Sequence, residues 1–569
     1  MSEAAYQSGY YQNSNPDLLA RIPLTGRDVL EIGCGAAGMA RAYLARNPSA
    51  AYTGVELFET VARQAAEHLS DVLVGDIEQP STMDALDRVR GDRLFDVLVC
   101  GDVLEHLHDP WRVLSQLRSR MAPGAVCVVC IPNVGHWSVL QQQLKGRWDY
   151  ADAGLLDRTH LRFFTLETAV EMLQQAGWSM VDAKPRVLWP AETETAVSAL
   201  AVVAQTMGLD PQKLRRDLSA FQWIIRAVNA PVEPPLSVAA IGLKRIAGVT
   251  EARVDHPLTA LATSPTVSAV WGVGTVTVPP DRPPGVLILQ RAFMNDAPTN
   301  ERIEQLIAKG WLLVIDIDDD PRHWREYIEN DFYAFRAAHA VTVSTGPLAD
   351  MIRHWNPNVA VFPNAILELP QVAPGTPKQG ERVRVFFGAL NRGADWAAIW
   401  EGLLGAAAAL GDTVEFVVVH DREFFQALPD SVSKTFQPTL AYPQYMDLLA
   451  SCDVALLPLA DTAFNRLKSD LKLIECCAAG VVAVCSPVVY AQQAVHRDIA
   501  VFAETALEWR QALVRLCTDS AEVAQRRALG LSYVKAQRMH CHQIAARESF
   551  YRGLVAQREA LELQRRQRI

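Results

Sequence analysis

One short stretch near the start constrains the fold of this chain more than any other. Residues 28–38 read Asp-Val-Leu-Glu-Ile-Gly-Cys-Gly-Ala-Ala-Gly, an apolar run that ends in a glycine-rich turn, and a helical pattern follows. Side chains in such a turn would block the approach of a ligand to the backbone, so glycines occupy it. The stretch therefore predicts a strand, a tight turn and a helix around a nucleotide-like ligand.

The size and composition of the chain exclude several classes of protein. Its 569 residues are too many for one core and suggest about three or four structural units. Half of the residues are hydrophobic and 21% are charged, which is ordinary for a globular protein. The net charge of −10 disfavours a nucleic-acid partner held by phosphate contacts.

The cysteines and the first residues indicate the compartment. The ten cysteines are scattered through apolar segments, which suits reduced thiols in a cytoplasm. The first residues lack the basic start and apolar core of a signal peptide, and no apolar run approaches the length of a bilayer span. We therefore expect a cytoplasmic protein without a transmembrane segment, and peripheral membrane association stays open.

Strand-like and helical patterns alternate in the first part of the chain. The strand-like runs are 28–33, 51–56, 71–75, 94–100 and 125–131. This alternation predicts a parallel sheet with helices on both faces, and ligands bind such sheets beyond the carboxyl ends of the strands. Polar residues lie at those ends, and they identify the ligand.

Three carboxylates decide between two ligands. The glycines alone match the GxGxxG pattern of dinucleotide-binding proteins, and Glu56, about twenty residues later, suits the ribose of either ligand. Asp76 is placed for an adenine amino group. Glu31 discriminates, because a carboxylate there would repel a pyrophosphate but suits a cationic sulfonium and ammonium. S-adenosylmethionine is therefore favoured, and an NAD-linked oxidoreductase is the rival.

Four motifs in order resemble those of class I S-adenosylmethionine-dependent methyltransferases. They are 31–35 (Glu-Ile-Gly-Cys-Gly), 54–56 (Gly-Val-Glu), 74–77 (Val-Gly-Asp-Ile) and 95–106 (Phe-Asp-Val-Leu-Val-Cys-Gly-Asp-Val-Leu-Glu-His). The resemblance implies a Rossmann-like domain with S-adenosylmethionine as cofactor. The cofactor-binding residues that we infer are Glu31, Gly33, Cys34, Gly35, Glu56, Asp76, Ile77 and Gly101.

Methyl transfer to a hydroxyl is helped by a base, and a histidine suits this role. The candidates are His106 and His160, although His106 is equally well explained as a helix-end residue with no chemical role. Residues 146–165 resemble the segment before the last helix of methyltransferases that modify sugars and natural products, and they are a candidate acceptor lid. No metal is expected, because no further ligand cluster accompanies His106 and His108, the pair considered as metal ligands.

The end of the first unit is marked by a change of pattern. Residues 191–230 show apolar positions at helical spacing and are interpreted as a helical extension. Residues 229–235, Asn-Ala-Pro-Val-Glu-Pro-Pro, then break the pattern and form the best boundary in the chain. We predict a methyltransferase domain over 1–235.

A second alternation of strands and helices follows residue 235. Strand-like runs begin at 236, 286, 311, 340, 359, 383, 414 and 454, and the Pro/Gly-rich stretch 369–380 divides them into two halves. We predict two Rossmann-like halves, 236–375 and 376–569, with helices at the carboxyl end of the second. The last residues, with their three arginines, are expected to form a solvated, frayed terminus.

Two segments of the second part carry candidate chemistry. Residues 315–321 hold four aspartates, interpreted as capping a helix N-terminus rather than as a metal site. Residues 461–484 place Lys468 and Lys472 at a helix start, which suits a diphosphate, and Glu475 on the same helical face for ribose hydroxyls. Upstream, 386–392 forms another strand-to-glycine turn with a basic residue.

Together these segments resemble the GT-B glycosyltransferases of the retaining family 4 type, specifically at 464–480 and diffusely over most of 236–520. The resemblance implies a nucleotide-diphosphate sugar as donor. One departure is Leu467, which stands where the family has the first glutamate of its Glu-x7-Glu pair. The inferred nucleotide-sugar-binding residues are Gly388, Arg392, Lys468, Ser469, Lys472 and Glu475.

The sequence thus predicts an α/β protein in which a Rossmann-like methyltransferase domain precedes a GT-B pair of Rossmann-like domains. The expected function is bifunctional, methyl transfer and glycosyl transfer on a glycan or glycolipid acceptor in cell-surface polysaccharide biosynthesis. The alternative, motivated by Leu467, is an active methyltransferase with a non-catalytic glycan-binding GT-B-like module.

Overall fold

The computed structural model describes residues 14–277, 282–370, 382–389 and 392–569. The chain forms two compact units, residues 1–235 with 262–266, and residues 236–261 with 267–569. The predicted division between 375 and 376 falls outside the described residues.

The first unit is built on a seven-stranded sheet in the order β3-β2-β1-β4-β5-β7-β6. Strands β1 to β5 are parallel, and β7 runs antiparallel to both β5 and β6. The strands are β1 (Asp28–Ile32), β2 (Ala51–Glu56), β3 (Asp71–Val74), β4 (Phe95–Gly101), β5 (Met121–Pro132), β6 (Ser179–Arg186) and β7 (Gln222–Val228). Residues 97–100 of β4 are fully buried, as expected of a parallel strand covered on both faces.

The helices of this unit have clear start signals. Asp109 accepts from the backbone N–H of Arg112 ahead of a proline, and Thr165 forms a capping box with Thr168. The helices are α1 (Pro16–Leu19), α2 (Gly38–Leu44), α3 (Glu59–Ala65), α4 (Pro80–Arg90), α5 (Pro110–Arg118), α6 (Trp137–Leu144), α7 (Leu166–Gln175), α8 (Pro190–Thr206) and α9 (Pro211–Ser219).

The predicted helical extension over 191–230 is wrong in its last part. Residues 190–206 and 211–219 are helical, but 222–228 form strand β7, which lies between β5 and β6. All seven residues of β7 are buried, including the polar Gln222 and Arg226, and its central residues 223–225 are apolar on both faces. A short apolar run of this kind has no period that separates a strand from a buried helix, and its β-branched residues favour the strand.

The second unit contains two six-stranded parallel sheets. The first has the order β13-β12-β11-β10-β8-β9 and the second β16-β15-β14-β17-β18-β19. The strands of the first are β8 (Leu236–Gly242), β9 (Val267–Val273), β10 (Val286–Gln290), β11 (Leu312–Ile317), β12 (Ala340–Val343) and β13 (Val359–Val361). Those of the second are β14 (Val383–Gly388), β15 (Val414–Val419), β16 (Lys434–Gln437), β17 (Val454–Leu457), β18 (Val482–Cys485) and β19 (Val501–Phe502).

Helices cover both of these sheets, each with its own apolar core. Those of the first half are α10 (His256–Leu261), α11 (Ala297–Ala308), α12 (Arg325–Glu329), α13 (Tyr333–Ala337) and α14 (Gly346–Ile352). The next are α15 (Gly393–Ala397), α16 (Trp400–Leu410), α17 (Arg422–Ala427), α18 (Tyr442–Ala450), α19 (Leu471–Ala478), α20 (Pro487–Tyr490) and α21 (His496–Ile499). The last are α22 (Ala506–Thr518), α23 (Ser520–Gln537), α24 (Ile544–Ala556) and α25 (Arg558–Arg568).

The expectation of a frayed, solvated basic end is also wrong. Helix α25 packs on the first half of the second unit, and the side chain of Arg565 is only 3% exposed. Its guanidinium bonds Glu304 of α11 and Glu562 of its own helix. The basic composition of these residues does not show that one of the arginines is buried against the carboxylates of Glu304 and Glu562.

The predicted α/β class, one Rossmann-like sheet followed by a pair of Rossmann-like sheets, is confirmed. Among the helices that the structure describes, none combines the length and apolarity that crossing a bilayer requires.

Candidate functional site

A cavity of about 470 Å³ opens in the first unit beyond the carboxyl ends of β1, β2, β3 and β4. This edge contains the point between β1 and β4 where the strand order reverses, which is where such sheets bind ligands. The cavity is lined by all eight residues that the sequence predicts for cofactor binding: Glu31, Gly33, Cys34, Gly35, Glu56, Asp76, Ile77 and Gly101. Its volume suits a ligand of nucleoside size.

The glycine turn is fixed by the second strand. Gly33 and Gly35 have φ angles of +72° and +53°, which disfavour any side chain. The backbone N–H of Gly35 donates to Glu56 Oε2 at 3.0 Å, and Glu56 Oε1 accepts from the N–H of Phe58 at 3.1 Å. Glu56 thus ties the turn to the end of β2 and presents its carboxylate to the cavity.

Glu31 is a buried carboxyl in the cavity wall, 5% exposed. Burial raises its pKa to about 8, while a hydrogen bond from the Tyr52 hydroxyl lowers it and Glu56 raises it further. The Tyr52 oxygen lies 3.0 Å from Glu31 Oε2. A buried carboxyl with a raised pKa favours a cationic neighbour, because a positive ligand restores the charged form.

Asp76 lies at the other side of the cavity, after β3. Its Oδ1 accepts from the N–H of Glu78 at 2.9 Å, and its Oδ2 accepts from the side chain of Gln79. Glu78 in turn accepts from the backbone N–H groups of His108 and Asp109. These bonds hold the β3 turn against the segment that follows β4 and leave Asp76 half-buried at the cavity.

The structure brings the two predicted base candidates together. The ring centroids of His106 and His160 are 4.9 Å apart, edge to face, and His106 lines the cavity whereas His160 stands behind it. His106 Nδ1 lies 3.1 Å from the carbonyl oxygen of Thr159, and His160 Nδ1 lies 3.2 Å from that of Leu155. A carbonyl only accepts, so each Nδ1 carries the proton and each Nε2 has a free lone pair. Burial lowers the pKa of both rings, which keeps them neutral.

Glu105 lies next to these rings and is 1% exposed. Neither carboxyl oxygen has a hydrogen-bond partner among the described residues, and burial raises its pKa well above the ordinary value. Its backbone carbonyl accepts from the N–H groups of Leu161 and Arg162, which anchors the 146–165 segment. Ligand atoms of Glu105, His106 and His160 lie within 4.8 Å of one another, so these described residues could hold a metal ion.

Sequence reasoning missed a hydrogen-bonded chain of polar side chains whose two ends, Arg186 and Asp102, line the cavity. Arg186 at the end of β6 donates to the side-chain oxygen of Gln222 on β7, and the Gln222 amide donates to Asp102 Oδ1. Asp102 has a φ of +53°, and burial raises its pKa to about 6. Asp102 follows a strand end and was noticeable for that reason, but Arg186 reaches the site only through the antiparallel edge strands.

The second unit gathers the residues predicted for a nucleotide-sugar. Lys468 Nζ lies 3.0 Å from Asp319 Oδ2, across the two halves, and 4.1 Å from the centroid of the Phe464 ring. Lys472 Nζ donates to the Tyr445 hydroxyl at 2.9 Å and to Glu475 Oε2 at 3.3 Å. The Glu475 side chain is 1% exposed and that of Lys472 is 42% exposed, so Lys472 is the member of this pair that an incoming ligand can meet.

The other predicted donor-site residues lie around the same loop. Ser469 Oγ accepts from the Asn364 amide at 2.8 Å. Arg392 bonds Asp395 at 2.9 Å and Asn465 at 3.3 Å. Gly388 ends β14, where a Cβ would lie 2.6 Å from the Phe386 ring. Residues 390 and 391 of that turn lie outside the described part of the chain.

The aspartate segment 315–321, which begins inside β11, is mainly a set of ion pairs. Only Asp320 caps a short helix, by accepting from the N–H of Arg322, as the sequence interpretation expected of the whole segment. The other three carboxylates pair with basic groups: Asp316 with Arg253, Asp318 with Arg291, and Asp319 with Lys468. The helix-capping interpretation is therefore wrong for these three.

Comparison with known proteins gives one matching family, described as "Methyltransferase domain", over residues 6–183. A ubiquinone biosynthesis O-methyltransferase from Psychrobacter arcticus is 29% identical over 184 residues, which are 30% of this chain and 66% of that protein. An uncharacterised protein from Synechococcus is 28% identical over 30% of this chain and 43% of its own length. The chain thus spans less than two thirds of each relative.

One solved structure that resembles this chain is a TarM mutant from S. aureus in complex with fondaparinux, α-GlcNAc-glycerol and UDP. It is 10% identical, covers 47% of this chain and 55% of its own, and has a TM-score of 0.35. The sequence match of residues 6–183 coincides with most of the sheet that builds the cavity. The N-terminal third of this chain is therefore similar to a methyltransferase domain.

Proposed function

We propose that the first unit is an S-adenosylmethionine-dependent methyltransferase that acts on a hydroxyl group. The observation that carries this proposal is the buried carboxyl of Glu31 in the wall of a cavity at the sheet's switch point. A sulfonium and an ammonium beside this carboxyl would favour its ionised form and gain a charge attraction, whereas a pyrophosphate would keep it protonated and gain none. The NAD-linked alternative is disfavoured for the same reason.

The roles of the residues follow from their positions. Glu56 would accept hydrogen bonds from the ribose hydroxyls, and Asp76 would accept one from the adenine amino group. The glycine turn would let the ligand approach closely, because it carries no side chains that would block it. When bound, S-adenosylmethionine supplies an electrophilic methyl group. His106 Nε2 would accept the proton of the acceptor hydroxyl as that oxygen is methylated, and His160 would support the His106 ring.

Calorimetric titration of the full chain with S-adenosylmethionine tests this proposal. Binding should be clear in the wild type, at least tenfold weaker in Glu31→Gln, and unchanged in Glu59→Gln, an exposed glutamate of the same unit that pairs with Arg63. Binding of NAD in place of S-adenosylmethionine would overturn the assignment.

For the second unit we propose glycosyl transfer from a nucleotide-diphosphate sugar. The observation in favour is the cluster of Arg392, Lys468 and Lys472 around one loop at the carboxyl ends of β14 and β17, where the strand order of the second sheet reverses. Basic groups there would hold a diphosphate and its developing charge. Methyl transfer and glycosyl transfer would both modify one glycan or glycolipid acceptor of the cell surface.

The alternative keeps methyl transfer and makes the second unit a glycan-binding module without catalysis. It is motivated by Leu467, which is 7% exposed and offers no carboxylate. Incubation of the full chain with a panel of sugar nucleotides separates the two. Donor hydrolysis or binding that disappears in Lys472→Ala supports transfer, and inertness towards the whole panel supports the module. Mass spectrometry of surface polysaccharide after gene deletion, with loss of an O-methyl sugar, would test the shared pathway.

A further inference from the structure

Arg186 is the only lysine or arginine among the described residues that line the cavity of the first unit. The same wall contains five carboxylic acids: Glu31, Glu56, Asp76, Glu78 and Asp102. An acidic cavity suits the cationic groups of a ligand, and one guanidinium within it suits a single anionic group. S-adenosylmethionine carries both kinds of group, because its methionine part ends in an ammonium and a carboxylate.

The strand register places Arg186 at the ligand-binding edge of the sheet. Arg186 ends β6 and pairs with Gln222, the first residue of β7, and Gln222 pairs with Pro132 at the end of β5. Because β7 is antiparallel to both neighbours, its first residue lies beside the last residues of β5 and β6. Arg186 is therefore at the same edge as the carboxyl ends of the parallel strands, on the side of β1 opposite to β2 and β3.

The order of the strands gives the ligand a direction along this edge. Asp76 follows β3 and Glu56 ends β2, and these carboxylates are the proposed partners of the adenine and the ribose. The methionine part of S-adenosylmethionine is joined to the ribose on the side away from the adenine. It would therefore extend past Glu31 of β1 towards β4, which is the side of the cavity that Arg186 lines.

One nitrogen of the Arg186 guanidinium, Nη2, has no hydrogen-bond partner among the described residues. Its Nη1 donates to the side chain of Gln222, and its Nε donates to Asp17 Oδ2 at 3.3 Å. The side chain of Arg186 is 26% exposed and that of Asp17 is 58% exposed, so this ion pair is at the surface and weak. Gln222 is neutral, so it orients the guanidinium and leaves its charge available to a ligand.

We propose that Arg186 binds the carboxylate of the methionine part of S-adenosylmethionine, with Gln222 as the positioning residue for its guanidinium. The ligand carboxylate replaces Asp17 as the charged partner of Arg186. Glu31 and Arg186 then meet the two opposite charges at the amino-acid end of the cofactor. This inference rests on the proposed methyl-transfer function of the first unit and adds the residue that recognises the anionic group of its cofactor.

The test combines two ligands with variants of the full chain in calorimetric titrations. The ligands are S-adenosylmethionine and decarboxylated S-adenosylmethionine, which differ only in the carboxylate. The measured quantity is the ratio of the two affinities in each protein. In Arg186→Gln this ratio should fall at least about tenfold relative to the wild type, as expected for the loss of a charge-assisted hydrogen bond. The decarboxylated ligand should bind this variant no more weakly than the wild type.

Two further variants locate the effect. Arg63→Gln removes an exposed arginine of the same unit that pairs with Glu59 and does not line the cavity, so the ratio should be unchanged. Asp17→Asn leaves Arg186 in place and removes its charged partner. It should tighten the binding of S-adenosylmethionine by about 2- to 5-fold, because the ligand carboxylate no longer competes with Asp17, and it should not tighten the binding of the decarboxylated ligand.

The outcomes separate this inference from the proposed function. If the wild type does not bind S-adenosylmethionine, the proposed function itself is overturned. If the wild type binds it and the ratio is the same in Arg186→Gln, the inference alone is overturned, and Arg186 serves to balance the charges of Asp17 and Asp102. An equal effect of Asp17→Asn on both ligands would likewise contradict the exchange of partners at Arg186.

Discussion

The hydroxyl of Tyr52 donates a 3.0 Å hydrogen bond to Glu31 Oε2, joining two buried side chains on the neighbouring strands β2 and β1. Burial raises the pKa of Glu31 to about 8, although this bond lowers it. At neutral pH the free carboxyl therefore carries its proton. A cationic ligand that binds beside it favours the ionised form, so binding and proton release are coupled.

The affinity for S-adenosylmethionine should accordingly rise between pH 6 and pH 8, by up to about tenfold per pH unit. The reason is that the free-energy cost of removing the Glu31 proton falls as pH rises. Calorimetry at pH 6, 7 and 8 measures this dependence. Glu31→Gln is the control, since the amino group of the ligand titrates alike in both proteins. The same pH dependence in wild type and variant would contradict the coupling.

The same carboxyl should make the ligand-free protein less stable at higher pH. The folded-state pKa of about 8 exceeds the ordinary value of 4.5, so the folded state binds the extra proton throughout that window. The stability that the Glu31 proton contributes is fully present below about pH 4.5. It decreases as pH rises towards 8, by at most about 1.4 kcal/mol per pH unit. Calorimetric scans should show Glu31→Gln melting higher than wild type at pH 8, and the two converging near pH 4.5.

The fold was largely predictable because each parallel strand is a short apolar run between a helix and a polar turn. Such strands are buried on both faces, and their pattern is local in sequence. Strand β7 was missed because its sequence carries no such local pattern. Its residues Trp223 to Ile225 are apolar on every face, and only the pairing with β5 and β6 distinguishes the strand from a buried helix.

The candidate site likewise contains some residues that the sequence could predict and others that it could not. Glu31, Glu56 and Asp76 could be predicted because the ends of parallel strands meet at one edge of a sheet. Arg186 could not, since its place at the cavity depends on contacts between segments that no local pattern relates. Likewise, Lys468 was identified by its position before a helix, but its partner Asp319 lies 149 residues away.

His106→Gln should lower kcat for methyl transfer by about 10²- to 10⁴-fold, the usual contribution of a general base. The affinity for S-adenosylmethionine should stay within about twofold, because the imidazole acts on the acceptor. His68→Gln is the control, an exposed histidine of the same unit that does not line the cavity. Assays with EDTA test the expectation that no metal is needed, and activity lost with EDTA and restored by a divalent ion would contradict it.

In the second unit, Asp319→Asn should tighten the binding of UDP by several fold. Asp319 holds Lys468 at 3.0 Å, so a diphosphate must compete with it for that ammonium. Lys472→Ala should weaken binding instead. Asp318→Asn, whose carboxylate pairs with Arg291, should leave the affinity unchanged. Calorimetric titration with UDP measures all three, and equal affinities in wild type and Asp319→Asn would exclude the competition.

Arg565→Ala should destabilise the second unit by about 2 kcal/mol, while Arg566→Ala should change its stability by less than about 0.5 kcal/mol. Both arginines bond Glu562, but the Arg565 side chain is 3% exposed and also bonds Glu304, whereas that of Arg566 is 71% exposed. Removing Arg565 deletes a buried guanidinium together with its bonds to Glu304 and Glu562, and it opens the contact between α25 and α11. Chemical denaturation of the two variants measures the difference. Equal losses would mean that α25 is held by its exposed charges and not by the buried guanidinium.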